Sequence, residues 1–113
     1  MADMTISREH WIRTDLNGSI TRISAEAARL LGVGRKYAAG HPLPIFFNGD
    51  RPGVYRDMRA ACETHLPLIR QRTLKPRDHR PIPVRFGLQY VAESHELLWT
   101  FMCAEKGLEL QAR

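Results

Sequence analysis

The sequence predicts one domain of the α+β class, in which two antiparallel strands precede several short helices and three antiparallel strands follow. Three observations support this order. An Asn17-Gly18 turn separates two short runs rich in β-branched residues, residues 50–65 have the apolar spacing of a helix, and residues 82–90 alternate between apolar and polar side chains. With 113 residues, the chain can bury one hydrophobic core without metal or disulfide support.

The first two strands are predicted over residues 10–14 and 19–23. Aromatic and β-branched side chains favour extended structure in both runs. Asn17-Gly18 predicts a tight two-residue hairpin between them, because both residue types tolerate positive φ. The two strands should therefore pair antiparallel.

Ser24 is predicted to be the N-cap of a helix of about two turns, because its hydroxyl can accept a hydrogen bond from a free amide in the first turn. Gly32 is expected to end this helix in the left-handed conformation. Such a short helix requires tertiary packing to be stable in water. Its apolar stripe should consist of Ile23, Ala27, Leu30 and Leu31.

Residues 33–48 are predicted to form loops and one-turn helices, since glycines and prolines interrupt any longer element. The longest helix should follow Asp50, which we expect to be its N-cap, with Pro52 in the first turn. Pro67 follows its predicted end. The helix has an apolar stripe of Val54, Met58, Ala61, Cys62 and His65, with Arg56, Asp57, Arg59 and Glu63 between these residues.

Three strands are predicted over residues 68–75, 82–90 and 97–103, separated by polar turns at 76–80 and 92–96. Consecutive strands joined by short turns pair antiparallel. The apolar faces of the last two strands should be Ile82, Val84, Phe86, Leu88 and Tyr90, and Leu97, Trp99, Phe101 and Cys103.

Several short motifs occur in a set order along the chain. They are the D-x-x-G-x-I turn of Asp15, Gly18 and Ile20, the A-x-x-L-L-G helix from Ala27 to Gly32, Gly40 and Leu43 before a Phe-Phe pair, Asp50-Arg51, the Arg77-Asp78 turn, and the strand PIPVRFGLQY. Together they resemble the PAS domain family over residues 11–103. The Asp-Ile-Thr signature that often precedes a coiled coil in that family is replaced by residues 104–107.

This resemblance implies an α+β fold (β-β-α-α-α-β-β-β) with a five-stranded antiparallel sheet and short helices packed on one face. It divides the chain into a flanking segment (1–9), a domain (10–104) and a tail (105–113). It also implies a sensory or regulatory module without enzymatic activity, which binds a small ligand or a partner domain and signals through dimer contacts. A ligand-free dimerisation or interaction domain is the alternative.

The resemblance further implies a cavity between the inner face of the sheet and the helices, suited to a small apolar or planar ligand. A packed core without a ligand stays open as the other interpretation, since apolar faces are buried in either case. The candidate lining residues are Ala27, Leu31, Phe46, Val54, Met58, Ala61, Phe86, Leu88, Trp99 and Phe101.

The motifs of catalysis and metal binding are missing, and the five histidines lack the spacing of metal ligands, so we expect neither an enzyme nor a metal site. Flavin-binding relatives carry an Asn-Cys-Arg-Phe motif, whereas residues 41–46 contain no cysteine, which excludes a flavin–cysteine adduct. Haem-binding relatives use a histidine on the long helix. We expect His65 to be a core or C-cap residue rather than a haem ligand, and the cofactor is left unknown.

The net charge of +5 raises the question of nucleic acid, but the basic residues are dispersed and lack a reading helix or stacking platform. Their densest group is interpreted as a solvated strand face without a nucleic-acid partner: Arg70, Arg72, Lys75, Arg77 and Arg80.

The apolar runs are too short to span a membrane, so no membrane partner and a cytoplasmic location are expected. Cys62 and Cys103 are therefore predicted to be buried, reduced thiols. A homodimer and an output domain or kinase are the expected protein partners, with flanking contacts from residues 1–9 and 108–113.

Overall fold

The computed structural model describes residues 5–47 and 49–103. In chain order, its elements are β1 (Thr5–Thr14), β2 (Ile20–Ile23), α1 (Ala25–Leu31), α2 (Arg35–Ala38), a 3-10 helix (Leu43–Phe46), α3 (Arg51–Thr64), β3 (Leu68–Leu74), β4 (Ile82–Val91) and β5 (Glu96–Cys103). The strands form one antiparallel sheet, which confirms the predicted fold class. None of the helices in these ranges has the length and apolar character needed to cross a membrane.

The sheet has the strand order β2-β1-β5-β4-β3, so β1 and β5 form its centre. Their pairing runs from Thr5 opposite Cys103 to Thr14 opposite Leu97. Residues 5–9, predicted as a flanking segment, therefore belong to β1 because β5 extends far enough to pair with them. Residues 1–4 and 104–113, with the predicted tail and its contacts, lie outside the described residues.

The strand register separates an inner and an outer face of the sheet. One row of partners is buried under the helices and includes Ile12, Trp99 and Leu88. The next row, Trp11, Thr100, Gly87 and Ile69, faces the other side because side chains alternate along a strand. Only the inner face contributes to the core shared with the helices.

The turn between β1 and β2 is longer than the predicted two-residue hairpin and spans residues 15–19. Asp15 Oδ1 accepts hydrogen bonds from the amides of Asn17 and Ser19, both at 2.9 Å. Two backbone hydrogen bonds, from the amide of Asp15 to the carbonyl of Ser19 and from the amide of Gly18 to the carbonyl of Asp15, close the same turn. Gly18 has a φ of 97°, as the sequence predicted for this position.

Both predicted ends of α1 are confirmed. Ser24 Oγ accepts hydrogen bonds from the amides of Ala27 at 3.1 Å and of Trp11 at 3.2 Å, so the cap also joins the helix to β1. Gly32 ends the helix with a φ of 76°. A Cβ atom at Gly32 would lie 2.7 Å from the carbonyl oxygen of Arg77, so the turn between β3 and β4 packs against this glycine.

The long helix α3 begins where predicted, but Asp50 does not cap it through its side chain. Its Oδ2 instead accepts a hydrogen bond from the amide of Thr73 at 2.8 Å. That amide is available because β3 is an edge strand with a neighbour on one side only. Asp50 therefore ties the start of α3 to the edge of the sheet. His65 follows the last turn with a φ of 59°.

Candidate ligand site in the core

The inner face of the sheet carries four of the predicted lining residues. Phe86 lies opposite Phe101, and Leu88 lies opposite Trp99. Each of the four side chains is at most 1% exposed. Strand alternation alone therefore identified one complete wall of the candidate site.

An aromatic cluster forms the centre of this wall. The ring of Phe86 lies 5.3 Å from Trp99, 5.6 Å from Phe47 and 5.9 Å from Phe101, measured between centroids. These separations are typical of favourable aromatic pairs. The sequence analysis did not select Phe47 as a lining residue. The adjacent Phe46-Phe47 pair was visible in the sequence, but the turn after the 3-10 helix determines that both rings are buried.

A buried polar anchor holds the largest ring of the cluster. Trp99 Nε1 donates a hydrogen bond to Thr14 Oγ1 at 3.0 Å, and both residues have no exposed surface. Burying an indole N–H without a partner would be costly, so this bond fixes the orientation of Trp99. Thr14 was also missed, although its position two residues after the core residue Ile12 places it on the inner face.

The helices contribute the opposite wall: Ala27 and Leu31 from α1, Phe46 from the 3-10 helix, and Val54, Met58 and Ala61 from α3. All ten predicted lining residues belong to one continuous hydrophobic core. Their exposed fractions lie between 0% and 6%, so all ten side chains are buried between the sheet and the helices. Ligand binding among them stays a prediction.

His65 lies outside this core. His65 was predicted to be either a core residue or the C-cap of the long helix. It is the C-cap of α3, and its side chain is exposed, so the core alternative is wrong. Its ring stacks on Tyr90 with a centroid distance of 4.5 Å. The left-handed backbone at the helix end turns His65 away from the apolar stripe. The structure thus offers no geometric support for His65 as a haem ligand in the core.

A buried ion cluster joins α3 to β3. Asp57 Oδ1 accepts from Arg70 Nε at 3.1 Å and from Arg72 Nη2 at 2.9 Å, and Oδ2 accepts from Arg72 Nε at 2.9 Å. The side chain of Asp57 is only 5% exposed. The hydrogen bonding between Arg72 and Asp57 is the largest cause that raises the pKa of Arg72. The two arginines therefore compensate the charge of a carboxylate inside the fold.

This cluster corrects the interpretation of the basic residues after α3 as a solvated face. Arg70 and Arg72 are bound to Asp57, and the guanidinium of Arg77 lies 4.8 Å from the ring centre of Tyr37. The signal for a buried Asp57 was present in the sequence, because it occupies the helical stripe between Val54 and Met58. The identity of its partners depends on contacts between distant segments.

Two further histidines have aromatic or hydroxyl neighbours. The ring of His41 stacks on Tyr37 at 4.2 Å, and its Nδ1 is buried without a hydrogen-bond partner among the described residues. His95 Nδ1 lies 3.1 Å from the hydroxyl of Tyr90. Within residues 5–47 and 49–103, no cluster of three or more His, Cys, Asp or Glu could hold a metal ion.

Cys62 is a free thiol, and it is half-buried rather than fully buried as predicted. Burial raises the pKa of its thiol, and the nearby Glu63 raises it further. The side chain of Cys103 lies outside the described residues.

By sequence, no family model and no curated protein matches the chain. By structure, it is similar to a PAS domain from Colwellia psychrerythraea, with a TM-score of 0.73 and 18% identity over 81% of this chain and 82% of that chain. The PAS domain of the Cronobacter turicensis RpfR quorum-sensing receptor, solved in complex with BDSF, gives a TM-score of 0.70 and 14% identity over 87% and 94%.

A third similar structure is a domain of a sensory box sensor histidine kinase/response regulator from Geobacter sulfurreducens. It gives a TM-score of 0.68 and 15% identity over 80% of this chain and 79% of that chain. The chain therefore has the fold of PAS domains, and the resemblance inferred from its motifs is confirmed at the level of the fold.

Proposed function

We propose that this chain is a sensory or regulatory module that binds a small apolar or planar ligand between the inner face of the sheet and the helices. The observation that carries the proposal is the aromatic cluster of Phe47, Phe86, Trp99 and Phe101, which belongs to the same predominantly apolar core as the small side chain of Ala61 on α3. A ring or an alkyl chain would find complementary surfaces on both walls.

The similar structures include a PAS domain with bound small molecules, which supports the proposal that this fold accepts a ligand. The RpfR receptor PAS domain was solved in complex with BDSF and also with C12:0, and the latter structure has a TM-score of 0.67 with 15% identity to this chain. Ligand binding by this chain would spread the two walls apart. That movement would shift the equilibrium between conformations of the module.

We further propose that the outer face of the sheet mediates homodimerisation. Its row of Thr100, Gly87 and Ile69 lies on the side away from the helices, and Ile69 is 58% exposed. An output domain or kinase partner and a cytoplasmic location stay predictions.

Light scattering after size exclusion tests the dimer. Ile69→Lys should convert it to a monomer, because the substitution puts a charge into the apolar part of the contact. Tyr55→Lys on α3, where Tyr55 is 46% exposed, is the matched control and should leave the mass unchanged. A monomeric wild-type protein, or equal effects of both substitutions, would contradict this part of the proposal.

The second candidate function is a ligand-free interaction domain. It is favoured by the low exposure of the ten core residues, which is what a filled core produces. The two functions differ in the effect that an enlarged side chain in the core should have on ligand binding and on the free energy of unfolding.

Ala61→Leu adds volume to the helix wall, and Ala60→Leu makes the same change on the same helix outside the core cluster. Native mass spectrometry of the purified wild-type chain should detect a bound small molecule. We expect Ala60→Leu to retain this molecule and Ala61→Leu to lose it with little change in stability, because the leucine occupies the ligand's space.

A ligand-free core predicts the opposite pattern. The wild-type spectrum would then show the bare chain, and Ala61→Leu would lower the free energy of unfolding by about 1–3 kcal/mol through overpacking. That combination would refute the ligand-binding function and support the interaction domain.

A further inference from the structure

A second concave site lies at the β2 edge of the sheet, outside the core. It is a surface cleft of about 750 Å³ between the β1–β2 pair and α2. This volume is in the range of small-molecule sites. The residues that line it are Trp11, Thr21, Arg22, Ile23, Arg35, Lys36 and Ala39.

The cleft has an unusual local charge. Arg22, Arg35 and Lys36 are exposed, and none of them forms an ion pair within residues 5–47 and 49–103. The arginines of the Asp57 cluster, in contrast, have a carboxylate partner. Three unpaired cations around one concavity create a positive potential that attracts an anion.

The carboxylate of Glu96 contacts the lining of the cleft. Glu96 accepts a hydrogen bond from Thr21 Oγ1 at 2.6 Å, but the same side chain is also paired with Arg13 at 3.3 Å. Because Arg13 compensates the charge of Glu96, the positive charge of the three cleft residues is not neutralised by it. The cleft therefore keeps an excess of positive charge.

Backbone hydrogen bonds fix the two walls of the cleft relative to each other. The segment after α2 is attached to β2, since the amide of Ile20 donates to the carbonyl of His41 at 2.9 Å and the amide of Gly40 donates to the carbonyl of Ile20 at 2.8 Å. On the other wall, the amide of Ser24 donates to the carbonyl of Trp11 at 3.1 Å. Such a site loses little conformational entropy when a ligand binds.

We propose that this cleft binds a small organic anion, a carboxylate or a phosphate ester attached to an aromatic ring. Guanidinium and ammonium groups provide charge-assisted hydrogen bonds to the anionic group. The indole of Trp11 provides the apolar surface for the ring. A single aromatic residue and a cleft of this size fit a small molecule better than a nucleic-acid strand, which needs a longer groove with several stacking rings.

The two tryptophans of the chain allow a direct test by NMR, because Trp11 lines the cleft and Trp99 is fully buried in the core. The probe is phenyl phosphate, with benzyl alcohol as its neutral counterpart and inorganic phosphate as the anion without a ring. Phenyl phosphate should shift the indole N–H signal of Trp11 in a saturable way and leave that of Trp99 unchanged. Inorganic phosphate should bind at least about tenfold more weakly than phenyl phosphate, because it lacks the stacking contact.

Variants of the full chain identify the site of binding. The double variant Arg35→Gln, Lys36→Gln should bind phenyl phosphate at least about tenfold more weakly, since it loses two charge-assisted contacts. The matched control Arg56→Gln, Arg59→Gln removes the same number of exposed charges from α3 and should change the affinity by less than about twofold.

Four results would overturn the proposal. They are equal losses of affinity in both double variants, a shift of the Trp99 signal instead of the Trp11 signal, equal binding of benzyl alcohol, and no saturable shift at probe concentrations of about 10 mM. Tighter binding of a single-stranded oligonucleotide or of phosphatidylserine vesicles than of phenyl phosphate would also overturn it, in favour of a macromolecular anion.

Discussion

Removing the charge of Asp57 should be among the most destabilising single substitutions outside the apolar core. Asp57→Asn keeps the shape of the side chain but leaves two guanidinium groups without their counter-charge. Breaking a buried ion pair costs about 3–5 kcal/mol, whereas an exposed pair contributes about 0.2–1 kcal/mol. Asp57 is 5% exposed, but Arg70 and Arg72 are 39% and 23% exposed, so water compensates part of the loss.

We therefore expect Asp57→Asn to lower the free energy of unfolding by about 3 kcal/mol, at the lower end of the buried range. Within the cluster, Arg72→Gln should cost more than Arg70→Gln. Arg72 donates two hydrogen bonds of 2.9 Å to Asp57, whereas Arg70 donates one of 3.1 Å and is more exposed.

Urea unfolding followed by tryptophan fluorescence measures these differences, because Trp99 is buried in the native state. The control is Glu26→Gln, which removes an ion pair with Arg29 whose side chains are 36% and 72% exposed. It should change the stability by less than about 0.5 kcal/mol. If Asp57→Asn cost no more than Glu26→Gln, or if Arg70→Gln cost more than Arg72→Gln, the assignment of a buried, Arg72-dominated cluster would be wrong.

Three further predictions use single positions with clear controls. Gly32→Ala should destabilise the fold by about 1–3 kcal/mol in urea unfolding, because φ is positive and a backbone carbonyl leaves no room for Cβ, whereas Gly34→Ala, with open space around it, should have almost no effect. The pKa of Glu96 is lowered in the folded protein, and the hydrogen bond from the Thr21 hydroxyl is the largest cause. The ionised form of Glu96 therefore stabilises the fold at neutral pH, and this stabilisation is lost as the pH falls through the lowered pKa. Thr21→Val should reduce that acid-dependent loss between about pH 7 and pH 3, Thr21→Ser should preserve it, and an identical pH profile for both would contradict the role of the hydroxyl. In a variant whose other cysteine is serine, Cys62 should react several-fold more slowly with iodoacetamide in the native state than in urea, because burial raises its pKa; equal rates would show that the thiol is not protected.

The elements that local rules determine were predictable from the sequence. Ser24 and Gly32 are at the two ends of α1 as expected, because a cap needs only backbone groups a few residues away. The antiparallel hairpin of β1 and β2 was also predicted, but its turn is longer than two residues, and the Asp15 side chain binds the amides of Asn17 and Ser19 within it. Asp50 marked the start of α3, but its carboxylate binds an amide of β3, which a local rule does not reveal.

The candidate site shows the same division between local and long-range information. Strand alternation and helical spacing identified ten residues that the fold brings into one core. Phe47 was missed because its burial depends on the turn after the 3-10 helix, and the role of Thr14 was missed because its hydroxyl binds Trp99, 85 residues away in sequence. The basic cleft was not predicted, because α2 reaches β2 only through backbone bonds between separate segments.

The central position of β1 and β5 has a consequence for the order in which the chain acquires its structure. The first strand of the sheet finds its main partner only in the last strand, with all helices in between. Contacts of such long sequence separation close slowly, and a ribosome must release β5 before the sheet can be completed. Until then, the edge of β1 that pairs with β5 has backbone N–H and C=O groups without partners, so a nascent chain of this protein should depend on the emergence of β5 for protection against aggregation.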